Sequence, residues 1–188
     1  AYRRQRQMCI RDRHKRMEAT ETQLLEIKKV EQSTKDLSRD YFQYRPDYKK
    51  YVLTIQVRYP AGKSDLKDMI TTDKDAQLRQ LAAAGCEIRD FLKNHNENQY
   101  ILIIEGQASK DNFLYNYELS YQRALGLMRF WIEDSNITFG NNCEILISGS
   151  GDGKLDTHSM RETSNEKENQ RFLIHILPKN IFEHNENK

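Results

Sequence analysis

The side chains most able to bind a metal or move a proton are His95, His158, His175 and His184, together with Cys86 and Cys143. Their spacing supports neither task. The histidines stand at no metal-ligand interval from either cysteine, and no nucleophile motif is present. His175 lies inside the run RFLIHIL, Arg171 to Leu177, and reads as a half-buried strand residue. The cluster Gly149-Ser150-Gly151-Asp152-Gly153 has the look of a phosphate loop. It lacks the G-x-G-x-x-G spacing, and no helix pattern follows it to supply an anion-binding N-terminus. Cys86 falls in a helix pattern and Cys143 at a strand start, so both read as small buried apolar groups. No enzyme, metal site or cofactor is expected.

The polar residues of greater interest lie between Tyr100 and Trp131, YILIIEGQASKDNFLYNYELSYQRALGLMRFW. Tyr100 to Ile104 is a short β-branched apolar run that suits a strand covered on both faces. Gly106 ends it, and a polar loop follows. The helix after the loop places Tyr121, Ala124, Leu125, Met128, Trp131 and Ile132 in a core-facing stripe. Asn116, Leu119, Arg123, Leu127 and Phe130 share the flank beside that stripe, so Arg123 is expected one turn past Leu119 and outside the core.

The segment Asn116-Tyr117-Glu118-Leu119-Ser120-Tyr121-Gln122-Arg123-Ala124 resembles the N-x-x-L-S-x-x-R-A motif of OmpA-like peptidoglycan-binding domains. These are the C-terminal modules of outer-membrane porin-like proteins, Pal lipoproteins and MotB stator subunits, and the N-Y-E-L-S form looks closest to the MotB branch. In the family a strand ending in E-G-H-T-D precedes the motif, and Glu105-Gly106-Gln107-Ala108-Ser109 stands in that place. A second phrase, F-D-x-G-S-x-x-L after the first strand, is echoed by Tyr59, Gly62, Ser64 and Leu66, with Pro60 where the family has Asp. Asn169-Gln170-Arg171 resembles the N-R-R that opens the family's last strand.

The resemblance implies an α+β fold, a two-layer β-α-β-α-β(-β) sandwich with helices on one face of a mixed sheet. The chain's periodicity agrees. Tyr51 to Val57 reads as the first strand. Asp73 to Asn94 reads as a helix with Leu78, Leu81, Gly85, Ile88 and Leu92 inward, Gly85 allowing close approach to the sheet. Glu144 to Ile147 and Arg171 to Leu177 read as the later strands. A strand-helix-strand unit implies parallel pairing at the sheet centre.

Before the domain, residues 14–45 read as a stalk. His14 to Asp40 is helical in composition with a thin apolar stripe, and Tyr41 to Tyr48, interrupted by Pro46, reads as a junction. The domain is expected over 46–180 and a polar tail over 181–188. Residues 3–12, RRQRQMCIRD, match a transposon-based sequencing adapter translated in one frame, so 1–13 are set aside as foreign. That takes Lys+Arg from 30 to 25 and Asp+Glu from 28 to 27, and the net charge from +2 to −2. The case for nucleic acid goes with it. The native N-terminus, and any membrane anchor, is expected upstream.

In the family, the Arg of the motif and the Asp of the G-H-T-D loop clamp the diaminopimelate of the peptidoglycan stem peptide. A guanidinium holds a carboxylate bidentately, and the Asp pairs the ligand ammonium. Here the resemblance gives Arg123 the first role, with Leu119, Asn116 and Tyr59 beside it. The Asp has no match: Ser109 or Ala108 takes its place, and Asp111 is the nearby acid. The competing structural reading gives Arg123 a salt bridge to Glu118 or loop acids, and makes Asp111 a cap or turn residue. The implied function is a non-catalytic cell-envelope anchor binding the stem peptide, the periplasmic part of a MotB-like membrane protein. Homodimerisation through the stalk and a membrane channel subunit as partner are further implications. The alternative is an interaction or dimerisation module that has lost the wall ligand.

Overall fold

The computed structural model describes residues 21–111, 113–155 and 158–179. The segment set aside as foreign, the first residues of the expected stalk and the expected polar tail lie outside these residues. Five strands form one mixed sheet: β1 (Phe42–Arg45), β2 (Lys50–Leu53), β3 (Tyr100–Gly106), β4 (Cys143–Gly149) and β5 (Phe172–Pro178). Their spatial order is β1-β2-β5-β3-β4. The pair β3–β4 is parallel and the others antiparallel. Among the described residues three helices accompany the sheet: α1 (residues 21–33), α2 (Lys74–Asn94) and α3 (Asn116–Arg129). The last continues into a π-helical turn, Phe130–Asp134.

Alternation along β3 divides the two faces. Tyr100, Leu102 and Ile104 point into the main core with Phe172, Ile174 and Ile176 of β5, under Leu81, Ile88 and Leu92 of α2 and Ala124 and Leu127 of α3. The helices thus pack on one face, as expected. On the other face Val52, Leu173 and Met160 form a small second cluster, so Met160 covers part of the sheet there. Beside that cluster the Glu105 carboxylate accepts from Lys50 Nζ at 2.9 Å and His175 Nε2 at 2.8 Å. His175 is therefore a strand residue tied into a charged cluster.

Helix α2 has a local reason to start where it does. Asp73 caps α2, its side chain accepting from Ala76 N, which satisfies one orphan donor of the first turn. A Cβ at Gly85 would come within 2.7 Å of Trp131 Cδ1. The close approach needed at Gly85 is thus to the Trp131 ring, whose indole Nε1 donates to Leu81 O at 2.7 Å, and not to the sheet.

Three expectations change. The stretch Tyr41–Tyr48, read as a junction, carries β1 and most of the turn that ends at Lys49, which has φ 52°. β1 pairs with β2 from Phe42–Leu53 to Arg45–Lys50, so the sheet begins on the stalk side of residue 46. Pro46 sits in the turn, where its missing N–H breaks no ladder. Second, the first predicted strand stops at Leu53. Burial still alternates through Ile55, Val57 and Tyr59, so a segment outside the sheet keeps the strand's period and delivers Tyr59 under α3. Third, α1 is more than an isolated stalk: Val30 and Leu37 are buried in the main core, while Leu24 and Leu25 remain exposed.

The face of α3 is also rotated from expectation. Its buried positions are Asn116, Ser120, Arg123, Ala124 and Leu127, followed by Trp131. Tyr121 and Ile132 are exposed. Glycines explain this. Gly106 and Gly149 lie in register on β3 and β4. A Cβ at Gly106 would sit 2.0 Å from Ser120 O, and one at Gly149 2.6 Å from Tyr121 N. The backbone of α3 rests on that pair, so small polar residues, and not the bulkiest apolar ones, line the contact.

Candidate carboxylate-binding site

The rotation of α3 places Arg123 in the interior, 3% exposed. Its Nε donates to the Lys63 carbonyl at 3.0 Å, and its guanidinium carbon lies 4.5 Å from the centre of the Tyr59 ring. Lys63 belongs to a tight turn in which its N–H donates to Pro60 O and Gly62 takes φ 71°. That left-handed conformation favours glycine. The Pro60–Lys63 turn thus presents a carbonyl to the cation, and the segment from Ile55 presents a ring beneath it.

Among the described residues Arg123 forms no ion pair. The salt bridge to Glu118 offered by the structural reading is absent. Burial pulls the Arg123 pKa down, while Tyr59 and Asp111 act in the opposite direction. The Tyr59 hydroxyl is buried and has no hydrogen-bond partner among the described residues. Burial raises its pKa, partly offset by the Arg123 charge, so it is a neutral phenol at ordinary pH. A buried cation held by one carbonyl and one ring, with no acid of its own, is costly unless an anion completes it.

The remaining predicted residues divide into two groups. Asp111 and Asn116 meet each other: Asn116 Nδ2 donates to Asp111 Oδ1 at 2.9 Å and to Asp152 Oδ2 at 3.3 Å. Asp111 Oδ1 also accepts from Phe113 N at 2.9 Å. Asp111 is thus a turn residue of the loop before α3 and also a negative charge near Arg123. Asn116 ties that loop to the glycine loop after β4. Ser109 is half-buried, and its Oγ accepts from Gln170 Nε2 at 3.1 Å. Gln170 Oε1 in turn accepts from Tyr59 N at 3.1 Å. Ser109 therefore reaches the Arg123 site through Gln170. Leu119 is half-buried on α3.

Sequence reasoning missed Gln170 and the Lys63 carbonyl as site elements. Gln170 was visible only as a departure from N-R-R, and a backbone acceptor leaves no mark in side-chain identity. Gln107, which stands where the family has His, is buried and structural. It donates to Met160 O at 2.7 Å and accepts from Arg171 Nε at 2.8 Å.

No protein-family model and no curated protein matches the chain. Solved structures do. The chain is similar to MotB and other OmpA-like domains. With a MotB-like protein from Desulfovibrio vulgaris the identity is 14%, over 89% of this chain and 96% of that one, at a TM-score of 0.47. With the periplasmic domain of Helicobacter pylori MotB it is 14%, over 74% and 88%, at a TM-score of 0.43. With the peptidoglycan-associated lipoprotein of Burkholderia pseudomallei it is 16%, over 66% and 89%, at a TM-score of 0.36.

Among the described residues no helix is long and apolar enough to cross a membrane. The electrostatics around Arg123 are mixed. Lys63 Nζ lies 3.9 Å from Asp68, and Lys154 Nζ pairs with Asp152 at 2.9 Å and donates to Asp111 O. These neighbours are paired with one another, and among the described residues Arg123 is buried without an ion pair, with Asp111 acting on it only at a distance.

Proposed function

We propose that this chain is a non-catalytic cell-envelope anchor of the OmpA-like kind, related to MotB, that binds the stem peptide of peptidoglycan. A carboxylate of the diaminopimelate seats on Arg123, with Tyr59 behind the guanidinium and Leu119 and Asn116 on the same helix. Asp111, held by Asn116 in the adjoining loop, is the acid available to the ligand ammonium. Ser109 contributes a neutral oxygen at most, because Gln170 already engages it. The domain works on the periplasmic side, carried by a membrane segment outside this sequence, with a channel subunit as partner. The observation that carries the reading is a buried Arg123 with a carbonyl, a ring and no acid. A completed charged contact of this type contributes about 1.5–3 kcal/mol.

A second reading rests on one observation. The loop position that holds Asp in the family is Ala108 or Ser109, and both are tied into the fold: Ala108 O accepts from Arg161 at 2.9 Å. A domain so altered fits an interaction or dimerisation module that has given up the wall. Co-sedimentation with purified diaminopimelate-type sacculi separates the two. Wild type is expected in the pellet and Arg123→Ala in the supernatant. If both stay in solution, the interaction module is the better account.

A further inference from the structure

We infer that two copies of this chain associate by pairing β4 with β4 across a two-fold axis at Leu146. The pairing continues the five-stranded sheet into the second copy and packs the two α3 helices side by side. This surface is separate from the Arg123 site: Arg123 faces the Lys63 turn, while Tyr121 lies over Gly149 on the other flank of α3. It takes the place of the stalk as the seat of self-association and stands under either reading of the function.

The strand β4 ends the sheet and pairs with β3 alone. Asn142 O accepts from Tyr100 N at 2.7 Å, and Ser150 N donates to Gly106 O at 3.0 Å. The even-numbered residues of this stretch therefore turn their backbone to β3. Cys143, Ile145 and Ile147 turn theirs outward, with no backbone hydrogen bond on that side among the described residues. Edge strands are commonly guarded by Pro, Lys, a bulge or brevity. CEILISG has none of these: it runs for seven residues, and its register with β3 is unbroken. Its one charged side chain, Glu144, is held by Lys179 at 3.0 Å. The outward amides and carbonyls are a template for another strand.

Helix α3 leaves a matching surface above that edge. Tyr121, Met128 and Ile132 stand at i, i+7 and i+11 on the flank over β4. Tyr121 is 41% and Ile132 38% exposed, and Leu146, on the other face of β4, is 42% exposed. A foreign strand would fill the edge and leave the helix flank bare. A second copy covers both. The backbone of α3 rests on Gly106 and Gly149, and so runs over the line between β3 and β4. Strands lie about 4.8 Å apart, so pairing β4 with its mate sets the two α3 axes about 10 Å apart, the spacing of packed helices. The register at Leu146 is also self-complementary. Ile145 faces Ile147 of the second copy, Glu144 faces Ser148, and Leu146 faces Leu146, so no like charges are opposed.

Sedimentation velocity of the full chain at about 100 μM tests this. Wild type is expected to sediment as a dimer. Leu146→Lys sets two ammonium groups opposite each other at the axis and is expected to weaken the dimer about 10-fold or more. Leu146→Glu is expected to do the same. An equimolar mixture of these two variants is expected to recover the dimer, because residue 146 meets only residue 146 at the axis. Tyr121→Lys, on another element, is expected to weaken the dimer as well, and Leu24→Lys on α1 to leave it unchanged. All the replaced side chains are exposed, and an unchanged far-UV spectrum verifies the fold. A monomeric wild type overturns the inference. So does a dimer indifferent to Leu146→Lys, a mixture that stays monomeric, or a dimer lost in Leu24→Lys. Sacculi binding by a chain that stays monomeric would leave the anchor reading standing, so the two fail separately.

Discussion

Replacing Arg123 by Met separates a cation kept for a ligand from one kept for the fold. Met retains the unbranched apolar stem and removes the charge. The substitution loses the bond from Nε to Lys63 O, 3.0 Å long, about 1.5–3 kcal/mol for a charged donor. It also loses the stacking over Tyr59 at 4.5 Å, about 1–2 kcal/mol at a desolvated site. Against this, it relieves the burial of an ion that has no acid beside it, an effective penalty of several kcal/mol. The terms nearly cancel. Urea unfolding at pH 7 should therefore give a stability within about 1 kcal/mol of wild type, with an unchanged m-value, while wall binding is lost. A fold-stabilising Arg with a buried acid partner would lose about 3–5 kcal/mol on the same change. A drop of that size would show that Arg123 is structural and would refute the reasoning.

Two further perturbations follow from the same structure. Burial pushes the Glu105 carboxyl up, but the His175 hydrogen bond and the Lys50 ammonium outweigh it and hold the pKa at about 2. A depressed carboxyl stabilises above its unfolded pKa and loses that contribution as pH falls towards its folded one. Stability should thus fall between about pH 4.5 and 2 by roughly 3 kcal/mol from this group. Glu105→Gln should flatten that part of the acid-unfolding curve, and an unaltered curve would exclude the cluster as its source. Gly106→Ala should be severe, because a methyl would lie 2.0 Å from Ser120 O, with backbone on both sides. A loss of at least about 3 kcal/mol in chemical unfolding is expected, and a loss under 1 kcal/mol would contradict the packing of α3 on β3.

Much of this fold is legible in the chain because period and punctuation agree. β3, β4, β5 and α2 appear where apolar runs and caps predict them, within one or two residues at most boundaries. β1 is not legible: four residues with one fully buried side chain, Phe42, carry too little pattern, and Pro46 looks like an interruption when it is the turn. The face of α3 misleads for a physical reason. Counting apolar residues assumes that the core takes the largest side chains, whereas a helix lying on Gly106 and Gly149 buries Asn116, Ser120 and Arg123. At the site, motif spacing brings Arg123 and Tyr59 to attention, but not the ring-on-guanidinium contact between elements far apart in sequence. The carbonyl of Lys63 and the bridge from Gln170 are products of folding alone.

The proposed function requires Arg123 to seat a carboxylate. The most direct measurement is the Kd of wild type for a stem tetrapeptide with a free diaminopimelate carboxylate, beside the same peptide with that carboxylate amidated. Loss of a charged contact of about 1.5–3 kcal/mol corresponds to roughly 10- to 100-fold weaker binding, and a difference in that range that disappears in Arg123→Met is expected. Equal affinity for the two peptides would contradict it.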